Sequence, residues 1–483
     1  MMRSSTLCLM ILSVVLAAAL AGAAPPPFAN PPELASVGGQ LTGTLTVAPG
    51  EVEIAGKRFT TTLYDGAYMP PVLRVQPGDT IRLALANAGG MATNIHYHGL
   101  SVTPLAPGDD VFTTVNPGVT YQYDFPIPPE HSSGLFWYHP HVHPDVNPQI
   151  AGGMSGGMII GDVLAPFPQL AGITERVMLL KDMKLRKGSP VIDPDPSGPT
   201  LRTINGLYQP RIDIKPGELQ LWRIGNIGAN IYYRLRLPRH VFYLLSQDGN
   251  PTTRLIELKE LVIPPAARYE VLVRGARPGK YRLQARAFNT GPAGDHYPAQ
   301  LMATVVSRGP AMPKTPLPTV FTSSPDLRLA SVTTRRNITF DDADSKDPNT
   351  QFTINGQFYD HNRIDTTVEL GTVEEWTLQN TSRELHVFHI HQTDFQVVSV
   401  DGEPQPFTGY QDTVSLPFAK RKNGRLVPGE VKVIIPFTNR VILGTFVYHC
   451  HIVQHADQGM MANIQVVPPG TIAATSPPHQ QHP

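Results

Sequence analysis

One β plan recurs three times along this chain. The segments Val75–Asn87, Ile214–Asn226 and Leu370–Asn380 each begin with a glycine-containing turn, run on as an alternating strand and close on asparagine. Gly78, Gly217 and Gly371 each precede that asparagine by nine residues. Such alternation predicts a strand with one buried face. Ile204-Asn205-Gly206 returns as Ile354-Asn355-Gly356, and Gly134-Leu-Phe-Trp-Tyr-His139 as Gly444-Thr-Phe-Val-Tyr-His449. A period of roughly 150 residues means three homologous domains, not a short-repeat solenoid. With 41 Gly and 49 Pro punctuating short strands, the fold class is all-β, three consecutive β-sandwich domains.

The expected organisation is a signal peptide over 1–23, domains over 24–165, 166–315 and 316–468, and a disordered tail over 469–483. Arg3, the apolar run Leu7–Leu20 and the small residues Ala21-Gly22-Ala23 carry the first assignment. That run is too short for an ordinary membrane span, so a secreted or periplasmic protein with no stable membrane span is expected. Cleavage removes Cys8 and leaves Cys450 alone, which rules out an intramolecular disulfide. Lys+Arg 39 against Asp+Glu 39 gives no basic excess for binding nucleic acid.

The histidines follow the repeat. His96 and His98 lie nine and eleven residues after Asn87, and His389 and His391 at the same offsets after Asn380. His139 and His141 match His449 and His451 by distance from Gly134 and Gly444, whereas the middle domain has Leu235, Leu237 and Gln284 at the corresponding positions. Residues i and i+2 of a strand share a face, so each His-x-His aims two imidazoles one way. Four pairs from two domains make an eight-imidazole shell, more than one zinc needs and suited to several metal ions. The third domain adds His386, Cys450, His455 and Met460, with Met461 as the alternative to Met460. Two histidines, a thiolate and a thioether describe a blue-copper electron-transfer site. The Cys450 side chain points away from those of its neighbours, so its backbone links that site to the imidazole cluster.

The motifs His96-Tyr-His98-Gly, His139-Pro-His141, His386-Val-Phe-His389-Ile-His391 and His449-Cys-His451-Ile-Val-Gln-His455-Ala-Asp-Gln-Gly-Met460 resemble those of the three-domain multicopper oxidases, the laccase-like group in particular. The resemblance covers nearly all of the mature chain. It implies cupredoxin-like Greek-key sandwiches and four copper ions. His386, Cys450, His455 and Met460 would hold the type 1 copper, His96 and His389 the type 2 copper, and His98, His139, His141, His391, His449 and His451 the type 3 pair. It further implies oxidation of a phenolic or aromatic amine reductant, or of a reduced metal ion such as Cu(I), Fe(II) or Mn(II), coupled to reduction of dioxygen to water.

Asp109 is the expected proton donor beside the cluster, with Asp110 as the alternative. Many relatives carry an acid directly after the last type 1 histidine; here Ala456 stands there, followed by Asp457, and the second donor stays open. Glu384 and Asp457 flank the type 1 histidines and read as surface charges. His131, His143, His240, His296 and His361 read as structural or surface residues. The absence of a Met-rich segment favours a phenol over a soft metal ion as reductant. A non-catalytic copper carrier or a two-copper nitrite reductase would not need eight cluster imidazoles.

Overall fold

The computed structural model describes residues 24–187, 192–195, 199–321, 324–343, 347 and 351–472. The expected signal peptide with Cys8, and the tail histidines His479 and His482, lie outside the described residues. Three sandwiches follow one another. In the first, a four-stranded sheet that includes Gln40–Ile54 and Thr80–Asn87 faces a five-stranded sheet that includes His96–His98, Gly134–His139 and Gly156–Ile160. The second and third each pair a six-stranded with a five-stranded sheet. Among the described residues no helix is long and apolar enough to cross a membrane.

The repeated strands sit at equivalent places. Ile81, Leu83 and Leu85 alternate into the first core, and Trp376 and Leu378 into the third. The middle strand, Leu219–Asn226, departs from the expected single buried face, since both of its faces are covered. Trp222 and Ile224 enter the sandwich core. Leu219 and Leu221 pack instead under Val163, Phe167 and Leu170, so the chain leaving the first domain roofs the second.

The asparagine closing each strand has one task throughout. Asn87 Nδ2 donates to the Met91 and Val115 carbonyls, both at 2.8 Å. Asn226 Nδ2 donates to those of Ile231 and Ile263 at 2.8 and 3.2 Å, and Asn380 Nδ2 to those of Glu384 and Leu416 at 2.8 and 3.3 Å. A buried amide thereby satisfies backbone groups that the turn would otherwise strand. In the first and third domains that turn leads into the first His-x-His pair, which explains the constant offset. It also occupies Asn380, which with Ser382 is buried, so the Asn380-Thr-Ser382 triplet, an N-glycosylation pattern, is turned inward. The paired Asn-Gly turns are hairpins with both residues at positive φ, 54° and 75° at Asn205-Gly206 and 53° and 71° at Asn355-Gly356.

Candidate metal centre

Two sheets bring the histidines together. His96 sits opposite His139 where His96–His98 pairs with Gly134–His139. His389 sits opposite His449, and Phe388 opposite Cys450, where His386–Ile390 pairs with Gly444–Cys450. Strand alternation then sorts the side chains. Cys450 turns into the third core with Phe388 and Met460, while His389 and His449 turn toward the first domain, their rings 5.4 Å apart.

On the core side, Cys450 Sγ lies 3.8 Å from His386 Nδ1 and 3.7 Å from His455 Nδ1, and these two nitrogens lie 3.1 Å apart. Three ligand-type atoms thus converge in a buried niche. Met460 is buried in the same cluster as Cys450, whereas Met461 packs with Val111 and Val447 on the opposite side. Burial pushes the Cys450 thiol up to about 12 and His386 down to about 3. With the imidazoles neutral and a thiol that loses its proton on binding a cation, the donor set fits copper.

On the other side the eight imidazoles form one cage. His96 stacks on His391 at 3.8 Å and His98 on His389 at 3.9 Å. His141 and His391 bring their Nε2 atoms to 3.4 and 3.2 Å from His449 Nε2. His451 lies 4.9 Å from the ring of His98. Several of these rings are held by the far nitrogen. His139 and His449 use Nδ1 on the carbonyl of the following residue, at 2.8 and 2.9 Å, and His389 uses Nδ1 on the Asp412 carbonyl at 2.9 Å. A neutral imidazole donating through Nδ1 presents its Nε2 lone pair as a ligand. The Nε2 atoms of His96, His139 and His389 are buried without a hydrogen-bond partner. Burial pushes the imidazoles down, His139 to about 3 and His389 to about 4, which keeps them neutral. Orphaned, converging, neutral nitrogens are what a copper cluster requires.

Carboxylates brace the cage. Asp109 places both oxygens 3.0 Å from His96 Nδ1 and accepts from Tyr97 N and Gln392 Nε2, each at 2.9 Å. Burial pushes its carboxyl up to about 7, against the pull of those two hydrogen bonds. Asp110 instead ties its own turn through Phe112 N and Thr113 Oγ1. Asp412, absent from the sequence reading, sits 3.4 Å from His98 Nε2 and takes a two-pronged ion pair, 2.8 Å on each oxygen, from Arg268 of the middle domain. Neither belongs to a repeat or motif, and nothing in local sequence marks the pairing.

Two further residues differ from expectation. Glu384 and Asp457 are not surface charges. Glu384 is 14% exposed and lies 3.7 Å from His455 Nε2. Burial, then the charges of Asp342 and Asp295, push it up to about 8. Asp342 lies 3.9 Å from His386 Nε2. Asp457 turns away from the Cys450 niche, contacts His143 Nδ1 at 2.6 Å and accepts from Asn147 N at 2.6 Å, clasping the third domain to the first. Sequence places Glu384 and Asp457 symmetrically about the two histidines; only the fold shows that one faces the niche and the other does not.

Comparison with known proteins agrees with this architecture. Family profiles described as multicopper oxidase match residues 46–164, 177–307 and 330–470. The chain is 27% identical over 436 residues to a multicopper oxidase of Staphylococcus haemolyticus, covering 88% of each chain. It is 26% identical over 438 residues to the cell division protein FtsP of Escherichia coli, covering 86% of this chain and 87% of that one. Among solved structures it resembles a multicopper oxidase from Campylobacter jejuni described as a metallo-oxidase, with a TM-score of 0.76, 25% identity, and 92% of this chain and 94% of that one covered. Three successive matches over three sandwiches of this fold lead to one conclusion: the chain belongs to the multicopper oxidase family.

Proposed function

We propose that this protein, with domains over 24–165, 166–315 and 316–468, takes electrons singly from a reductant at the Cys450 niche and delivers them to dioxygen at the imidazole cage. His386, Cys450, His455 and Met460 hold one copper ion in this reading. His96 and His389 hold a second, and His98, His139, His141, His391, His449 and His451 hold a pair. Bound copper supplies the one-electron chemistry at the first site and the four-electron reduction of dioxygen to water at the cage. The backbone of His449-Cys450-His451 joins the two sites covalently, and the opposed directions of its side chains support this wiring. Asp109 is placed to hold and move a proton beside His96. The relative named for cell division means that the fold alone does not carry the oxidase reading. The complete cage beside a Cys450 niche supports it.

One observation carries the choice of reductant. The outer nitrogen of His455 faces the Glu384 carboxylate at 3.7 Å, whereas that of His386 meets Ser382 Oγ at 2.9 Å, with Asp342 farther off at 3.9 Å. Phe352 covers the His455 ring face, stacked at 4.0 Å. A phenol finds that face occupied, whereas a reduced metal ion meets oxygen ligands at the ring edge. The geometry therefore favours a reduced metal ion that takes oxygen ligands, Fe(II) or Mn(II) before Cu(I), reversing the preference drawn from sequence. Laccase-like oxidation of phenols is the second reading, because a carboxylate beside His455 also accepts a phenolic O–H. Oxygen uptake by copper-loaded protein on Fe(II), Cu(I) and a methoxyphenol separates them. Glu384→Gln is expected to lower kcat/KM for the metal ion by about tenfold or more, the loss of roughly one charge-assisted contact, and to spare the phenol. Unchanged metal oxidation in that variant would overturn the metal-ion reading.

A further inference from the structure

Next to the cage, at the seam of the first and third domains, lies a cavity of about 120 Å³. His141, His143, Tyr359, His361, Val447 and Met461 are among its lining residues. His141 belongs to the cage, whereas His143, His361 and Met461 have no part in the proposed reaction. The His143 ring stands 4.8 Å from that of His141 and 6.4 Å from that of His449. At the outer end His361 is exposed and packs edge-on against Phe112 at 5.3 Å. The histidines therefore mark a path from solvent to cage.

His143 is set up as a ligand. Its side chain is 7% exposed, and its Nδ1 meets the Asp457 carboxylate at 2.6 Å. Asp457 is fixed in turn by Val146 N at 3.4 Å and Asn147 N at 2.6 Å. That carboxylate contact holds the ring by its Nδ1 edge and turns the Nε2 edge away from Asp457. Neither ring nitrogen of the buried His143 has a hydrogen-bond partner. An oriented, orphaned imidazole nitrogen on a cavity that also offers a second imidazole and the thioether of Met461 suits a soft or borderline ion. Neither mouth nor lining carries the oxygen-rich set that Ca²⁺ or Mg²⁺ needs.

We infer that this cavity is an additional, transient copper site, a station at which Cu(I) is held by His143 with help from His361 and Met461 on its way to the cage. The inference rests on the reading of the eight imidazoles as a copper cluster. It assigns Asp457 the part of orienting His143, and accounts for a clasp between domains that is built on a carboxylate–imidazole pair.

The test follows copper content, not turnover. Full-length protein stripped of copper is reloaded anaerobically with Cu(I); aliquots quenched with a chelator are assayed for bound copper and are then exposed to air, whose dioxygen oxidises the bound Cu(I), before the near-ultraviolet absorption of the cage is read. His361→Ala, Met461→Leu and His143→Gln, whose amide can still donate to Asp457, are expected to fill the cage about tenfold or more slowly, the scale of losing an oriented ligand. They should reach the wild-type final copper content and blue colour. Equilibrium dialysis of redox-silent Ag(I) against copper-loaded protein should show extra Ag(I) on the wild type that His361→Ala loses. Wild-type loading rates in all three variants would overturn the station. So would unchanged loading with a raised KM for dioxygen, which makes the cavity a gas passage. His361→Ala, on the surface, serves even if His143→Gln does not fold. Failure of the wild-type cage to take up any copper would instead contradict the cluster reading itself.

Discussion

Asp394 shows how much a single residue beside the cage is asked to bear. It is half-buried, its Oδ1 is shielded from solvent with no hydrogen-bond partner, and it faces Asn250, Asp412 and Arg268. Burial, followed by the charge of Asp412, pushes its carboxyl up to about 7. In the unfolded chain the group ionises near its ordinary value of 3.8. Between these values the unfolded state loses a proton that the folded state keeps. The stabilisation is thus full below the unfolded value and is lost as pH rises through about 7. Asp248, raised to about 8 by burial and by Asp412, adds a second contribution of the same sign. Asp394→Asn should flatten the fall in melting temperature of the copper-free protein between about pH 4 and about pH 8. An undiminished fall would place the pH dependence elsewhere.

At the scale of the element, the strand-closing asparagines link sequence spacing to ligand placement. Asn226 has the same two carbonyl partners as its counterparts but no histidines behind it. Asn226→Ala should therefore cost about 1–3 kcal/mol in denaturant unfolding, the price of stranding buried carbonyls, and leave the blue absorption intact. Loss of the blue colour would show that the middle turn does more than brace its own domain. This recurrence is what made so much legible beforehand. His96, His98, His389 and His391 fall at fixed offsets from Asn87 and Asn380 because the turn between them is one object used twice. Cys450 and Met460 were separable from their neighbours because strand alternation is local. The two-sided burial of Leu219–Asn226 was not legible, since its roof comes from Val163–Leu170, a segment with no periodic signature.

Across the whole molecule, the middle domain contributes none of the niche or cage side chains among the described residues yet supports the centre. Arg268 reaches from it to Asp412, and Asp412 touches both His98 and His389 from the two ligand-bearing domains. Such long-range pairs leave no mark on spacing or composition, and Gln392, Asp394 and Asp412 escaped the sequence reading for that reason. Arg268→Met strands a buried carboxylate and should destabilise the fold by about 3–5 kcal/mol. Copper should leave the cage more readily in a chelator challenge, while the blue absorption of the Cys450 niche persists. Parallel loss of both would mean that Arg268 braces the entire third domain and not the cage alone.

The central claim is that electrons reach the cage only through Cys450. Copper-loaded wild type and Cys450→Ser, compared for copper content, visible absorption and oxygen uptake on Fe(II) and a methoxyphenol, test it directly. The wild type should bind four copper ions per chain, as the full set of niche and cage ligands allows. Cys450→Ser should retain cage copper and the folded state, lose the intense blue band and stop consuming oxygen. Sustained turnover by Cys450→Ser, or a blue band that survives the substitution, would contradict the account.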